Sequence, residues 1–152
     1  MSIARPRLNQ LNIVSANPEA SLEFYRRLGV EIPEDAVWRT RTGVHHASAK
    51  RTADQAALDL DIDSIAFAQN WNRGWMGRDD LKGRVVVGFH VPSRGGVDDL
   101  YGKLTGAGYA SLQAPNDAFW GARYAVVEDP DGIAVGLMSP ISPEMRSQPP
   151  EV

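Results

Sequence analysis

The sequence predicts an α+β protein in which one strand–helix–three-strand unit is used twice. Three observations carry that prediction. Short runs alternate apolar and polar residues, while two longer runs repeat apolar residues at helical spacing. The two helical runs superpose at a fixed offset, which pairs Phe24-Tyr25 with Leu100-Tyr101 and Leu28 with Leu104. The composition is that of a folded chain, with 43% hydrophobic and 23% charged residues in a length of 152. That length suits one ordinary domain, or two small halves sharing a core.

Each element has its own local reason. Leu8 to Ser15 alternates Leu11 and Ile13 with Gln10 and Asn12, the period of a strand with two unlike faces. Asn17-Pro18 supplies an N-cap and a proline at the first helical position. Leu22, Phe24, Tyr25 and Leu28 then make an apolar stripe, and Gly29 ends the helix. Extended stretches follow at 36–42, 44–49 and 56–62, punctuated by Gly43 and by 50–55. Residues 64–83, with Trp71 and Trp75, show no sustained period and read as a connection containing at most a helical turn. The second half opens with a strand at 84–91 and a helix at 94–105, stopped by Gly106-Ala107-Gly108. It continues with a hairpin of 118–128 and 133–138 around Asp129-Pro130-Asp131-Gly132. Module 1 therefore spans about 8–63, the linker 64–83 and module 2 about 84–139. Residues 140–152, with four prolines, read as a flexible tail.

Composition excludes several functions. The net charge is −3, and no basic cluster is present to neutralise a row of phosphates, so nucleic acid is not an expected partner. With no cysteine there is no disulfide, thiol nucleophile or cysteine-held metal. No apolar run approaches the ~20 residues of a spanning helix, and the first ten residues lack the apolar core of a secretion signal. A cytoplasmic protein with no membrane partner is expected. Gly-x-Ser-x-Gly, P-loop and Gly-x-Gly-x-x-Gly motifs do not occur, which removes the support for hydrolase, nucleotidase and dehydrogenase readings.

Two motifs, Asn17-Pro-Glu-Ala-Ser-Leu-Glu-Phe-Tyr-Arg-Arg-Leu-Gly29 and Tyr124-Ala-Val-Val-Glu-Asp-Pro-Asp-Gly132, sit at the ends of the duplicated unit. In these the chain resembles the vicinal oxygen chelate superfamily of glyoxalases, extradiol dioxygenases and bleomycin-resistance proteins, over roughly residues 8–139. The resemblance implies paired βαβββ modules, each curling a mixed sheet, with a cavity enclosed between them.

Strand parity then assigns the cavity side. With Leu11 and Ile13 under the helix, Gln10, Asn12 and Val14 point inward. Val86, Gly88 and His90 are their counterparts in the second module. Asp59 and Asp61 are inward on the fourth strand, and Ala134, Gly136 and Met138 on the last. Two hairpin registers place His46 opposite Asp59 or Asp61, and both keep it inward. The Asp-Pro-Asp-Gly turn pairs Arg123 with Met138, which makes Arg123 inward as well. His45 is expected on the opposite surface.

The resemblance also implies where a divalent ion would be held in metal-using members, and those places map to Gln10, Asp59, Val86 and Gly136. Val86 has no donor atom, and Gly136 has only a carbonyl that its sheet needs. The expectation is therefore no metal and no cofactor. If a rearranged site exists, Gln10, Asp59 and His46 or His90 are its candidates. Asp59 or Asp61 could instead serve as a general base, or simply pair with His46. Trp38, Trp71, Trp75, Phe119 and Trp120 are either pocket walls or sheet covers. The function expected is binding of a small aromatic or heteroaromatic molecule without metal, by Asn12, Trp38, His46, Asp59, His90, Phe119, Trp120 and Arg123. A homodimer is possible, because the antibiotic-sequestering branch that the chain resembles often binds between subunits. The alternatives are a metal-dependent lyase, isomerase or dioxygenase, and a module whose cavity is vestigial.

Overall fold

The computed structural model describes residues 10–51, 58–71 and 85–149. The chain divides into two compact units, Met1–Gly77 and Arg78–Val152. Each carries a four-stranded mixed sheet with one long helix.

In the first unit β1 (Gln10–Ser15) leads into α1 (Pro18–Leu28). β2 (Val37–Thr40), β3 (Gly43–Ser48), β4 (Asp59–Ser64) and a short α2 (Ile65–Trp71) follow. The sheet order is β1-β4-β3-β2, with β1 parallel to β4 and the other pairs antiparallel. The helix begins as its sequence dictates, because the Asn17 side chain accepts from the Ala20 N–H at 3.2 Å. It ends at Gly29, whose φ of 109° is left-handed. Its stripe of Leu22, Phe24, Tyr25 and Leu28 is buried with Ile13, Ala47 and Ile62 of the sheet. The apolar sides of β1, β3 and β4 thus meet the helix, and their other sides are left for polar groups.

The second unit repeats this order with β5 (Val86–His90), α3 (Arg94–Gly106), β6 (Ser111–Asp117), β7 (Arg123–Glu128) and β8 (Ala134–Met138), arranged β5-β8-β7-β6. Ser93 caps α3 by accepting from the Gly96 N–H at 3.0 Å. Val97 and Leu104 of the helix are buried with Ala125, Val127, Val135 and Leu137. Among the described residues no helix is long and apolar enough to cross a membrane.

The structure departs from the sequence reading in four places. A separate strand, β6, precedes β7, and residues 118–122 are a turn where one continuous strand was expected. The connection after β4 starts with a true helix, α2; Trp75, farther along it, lies outside the described residues. Ser64 anchors this helix, because its Oγ accepts from the Phe67 N–H at 3.1 Å.

The other two differences concern register. In the β3–β4 hairpin His46 is opposite Asp63, and Ser48 is opposite Asp61. Both expected registers are therefore displaced by an even number of residues, which preserves the face but changes the partner. In the β7–β8 hairpin Tyr124, not Arg123, is opposite Met138. The cause is the turn. Asp129 N–H donates to the Ile133 carbonyl, and Gly132 takes a left-handed φ of 84°, so five residues separate the paired ends. A turn ended by a left-handed glycine adds one residue to the loop, and one residue reverses every side chain on the strand. The Asp129 carboxylate serves this turn locally, since its Oδ1 accepts from the N–H groups of Asp131 and Ile133.

Candidate functional site

The face of the first sheet away from α1 is a ladder of hydrogen bonds built by alternation. On β4 the residues of period two are Asp59, Asp61 and Asp63; on β1 they are Gln10 and Asn12; on β3, His46 and Ser48. Asp63 is 1% exposed and Asp61 7%. A buried carboxylate is tolerable only when its oxygens are satisfied. Asp63 accepts from Asn12 Nδ2 at 2.8 Å and, through its other oxygen, from His46 Nδ1 at 2.5 Å. Asp61 accepts from Gln10 Nε2 at 2.7 Å and from Ser48 Oγ at 2.7 Å. The ladder closes through His46 Nε2, which lies 3.0 Å from Ser48 Oγ.

Asp59 stands apart from this ladder. Both of its oxygens are held by Arg51, through Nε and Nη2. That guanidinium, by hydrogen bond and by charge, keeps the Asp59 carboxyl below its ordinary range. The depressed value means the pair is complete above the ordinary carboxylate range and is lost only as pH falls through the lower, folded value. In Arg51→Ala the Asp59 titration, followed by carboxyl NMR, is expected to move up toward an ordinary aspartate. An unchanged midpoint would dismiss Arg51 as the cause.

An aromatic group borders the ladder at the β2 side. Trp38 is opposite His46 and 49% exposed. Phe67 from α2 places its ring 5.4 Å from Trp38 and 5.8 Å from His46, edge-on to both. His45 is also drawn in. The register shifts between Trp38 and Arg39, and the His45 ring lies 5.2 Å from Trp38 with Nδ1 3.0 Å from Ser64 Oγ. A strand irregularity breaks strict alternation, so His45 is half-buried rather than an isolated surface residue.

The face of the second sheet away from α3 is largely apolar, open along β5 and covered at β8. Val86, Gly88 and His90 of β5 align with Ala134, Gly136 and Met138 of β8, and Tyr124 and Val126 of β7 continue the rows. Val86 is 51% exposed, and a Cβ placed on Gly88 would meet open space. Gly136 differs: a Cβ there would lie 2.8 Å from Tyr124 Oη. The phenol occupies the room that a side chain at 136 would need. Trp120 packs edge-on to Tyr124 at 5.3 Å and to Phe119 at 5.2 Å. Its indole N–H is buried without a hydrogen-bond partner among the described residues.

The expected residues thus sort themselves. Asn12, His46 and Trp38 share one face of the first sheet, and Asp59 lies on that face tied to Arg51 and not to His46. His90 is exposed at the end of β5 on the helix-free face, while Phe119 and Trp120 join Tyr124. Arg123 is a correction: the reversed parity turns it to the helix side, where Nε donates to Asp98 of α3 at 3.0 Å and Nη1 to Asp117 at 3.2 Å. Asp98, and after it Asp117, hold its guanidinium charge more firmly than usual. The proposed rearranged donors Gln10, Asp59 and His46 each have a different partner. Among the described residues no three His, Asp or Glu side chains group as a metal ion requires.

Sequence reasoning missed Asp63, Phe67 and Tyr124. Asp63 continues the Asp-x-Asp-x-Asp alternation one step past the point at which the strand was ended. Tyr124 was hidden by parity, although Gly132 at the turn signalled the extra residue. Phe67 offered no periodic signal.

The comparisons agree with this architecture. The family model described as Glyoxalase/Bleomycin resistance protein/Dioxygenase superfamily matches residues 7–137. Among solved structures, a glyoxalase/bleomycin resistance protein/dioxygenase from Nocardioides is 20% identical with a TM-score of 0.68, over 99% of this chain and 92% of that one. TnmS3, an antibiotic binding protein from Streptomyces sp. CB03234, is 20% identical with a TM-score of 0.61, over 91% of this chain and 99% of its own. A glyoxalase-related enzyme from Fulvimarina pelagi is 18% identical with a TM-score of 0.69, over 88% of each chain. At such identities the likeness is one of fold. No curated protein matches the chain. Two βαβββ modules, the two terminal motifs and a family match over most of the length place this chain in the glyoxalase/bleomycin resistance protein/dioxygenase superfamily.

Proposed function

We propose that the protein binds a small planar aromatic or heteroaromatic molecule without a metal ion, on the face of its second sheet away from α3. The observation that carries this reading is the Tyr124 phenol, which fills the space beside Gly136 while Val86 leaves an alkyl group exposed one strand away. Those are two of the four places where the resemblance puts metal ligands. Neither supplies a donor from its side chain, and a third, Asp59, is neutralised by Arg51. The residues present do not fit a divalent ion. They do fit a flat ring, because glycine permits close approach to the sheet at Gly88 and the Trp120–Tyr124 pair offers aromatic edges and faces. A similar protein described as antibiotic binding supports the ligand class. A homodimer and a cytoplasmic location belong to the same proposal.

The test is a fluorescence and calorimetric screen of aromatic compounds against the intact chain and Trp120→Ala, with metal analysis and chelator melts in parallel. Trp120→Ala is expected to weaken the best ligand about tenfold or more, as for a buried aromatic anchor. Chelator is expected to leave the melting temperature unchanged. A stoichiometric metal, or a Trp120→Ala variant that binds as well as the parent, would overturn the reading.

A further inference from the structure

We propose that Ser48, His46 and Asp63 act as nucleophile, base and orienting carboxylate, so that the first module transfers acyl groups from esters of phenols. The inference uses that module alone and does not depend on the binding reading. Asp63 is buried, and ionised it can only accept, so the contact at 2.5 Å fixes a proton on His46 Nδ1. In the neutral ring Nε2 then carries the lone pair, and it lies 3.0 Å from Ser48 Oγ. A nucleophile within hydrogen-bond reach of a base, itself held by a third group, is the arrangement that nucleophilic catalysis needs. It is recognised by geometry, not by position in the sequence. Here the strand supplies it, since residues 46 and 48 alternate onto one face and Asp63 is the cross-strand partner of His46.

The exposure is graded as such a site requires. The Asp63 side chain is 1% exposed and the His46 side chain 32%. Trp38 and Phe67 beside His46 form an aromatic border against which the ring of an aryl ester would rest. A phenolate also leaves without prior protonation, which suits a nucleophile and a base acting together. In the first step Ser48 Oγ bonds to the carbonyl carbon, its proton passes to His46 Nε2, and the carbon–oxygen bond to the aryl group breaks. The phenolate departs as the anion and then takes up that proton from the imidazolium, leaving His46 neutral. Water then attacks the acyl-serine with His46 as base, releasing the carboxylic acid and restoring the hydroxyl. Asp61 Oδ1, 2.7 Å from the same hydroxyl, competes with His46 for its hydrogen and holds the serine back.

The intact chain, treated with p-nitrophenyl acetate and with a fluorophosphonate, is read by released phenol, intact mass and peptide mapping. One adduct, on Ser48, is expected, and it is absent in Ser48→Ala. His46→Ala is expected to slow its formation by about 100-fold, read at a temperature where circular dichroism shows the variant folded, since the loss of a partner for Asp63 also lowers its melting temperature. Asp63→Asn is expected to slow it as well, and Asp63→Glu to recover part of the rate, which a purely structural role would not produce. Asp61→Asn is expected to accelerate labelling. No adduct on Ser48, a rate indifferent to His46→Ala, or slower labelling in Asp61→Asn would each overturn the assignment; the last would make Asp61 the base.

Discussion

Asp63→Ala is expected to destabilise the first module by about 2–4 kcal/mol, because two donors lose their acceptor at a buried site. Asp63 holds the Asn12 amide at 2.8 Å and the His46 ring at 2.5 Å, and the bonds come from strands on both of its sides. The carboxylate therefore ties β1 and β3 to β4 on the face away from α1. His46 is partly open to water and recovers some solvation, which keeps the cost below that of a fully buried pair. The contrast is Asp59→Ala, where an exposed pair with Arg51 is lost and the unfolding midpoint is expected to move little. Urea unfolding followed at Trp38, with the far-ultraviolet signal in parallel, measures both. Equal midpoint shifts for Asp59→Ala and Asp63→Ala would show that the ladder does not bear on stability.

The second large effect is expected at Gly121. Its φ of 97° belongs to the left-handed region, and a Cβ there would run into the Ser142 carbonyl oxygen. The Gly121 carbonyl accepts from the Ser142 N–H at 2.9 Å, and the Ser147 N–H donates to Phe119 at 2.9 Å. The segment after β8 is thereby fastened to the turn that carries Phe119 and Trp120. Gly121→Ala combines backbone strain with a collision against main chain that cannot rotate away, so a loss of about 3 kcal/mol or more is expected. The same change should shift Trp120 emission and weaken aromatic ligands, because it releases the turn that aims the indole at Tyr124. Thermal melts and tryptophan fluorescence of the variant check this. A variant as stable as the parent would mean that the turn rearranges freely.

Gly121 also shows how a residue of no chemical interest can set a site. The resemblance motifs do not include it. In the sequence its neighbour Trp120 offers only its size, which suits a sheet cover and a pocket wall alike. The contact with Tyr124 settles its company but required the register of β7, which the turn at Gly132 moved by one residue.

What the amino-acid order determines by itself is local and periodic. The Asn17-Pro18 start and Gly29 stop define α1, since capping and the left-handed glycine act within a few residues. The alternation of Leu11 and Ile13 with Gln10 and Asn12 sorts β1 into a helix face and a polar face, and the repeat carries the parity, though not the polarity, to β5. The tertiary structure alone decided which inward residues meet. Asp63 rather than Asp59 or Asp61 receives His46, and Tyr124 rather than Arg123 faces the sheet floor. Pairing register depends on loop length and on a single bulge, and neither is written in the periodicity of the strands they join.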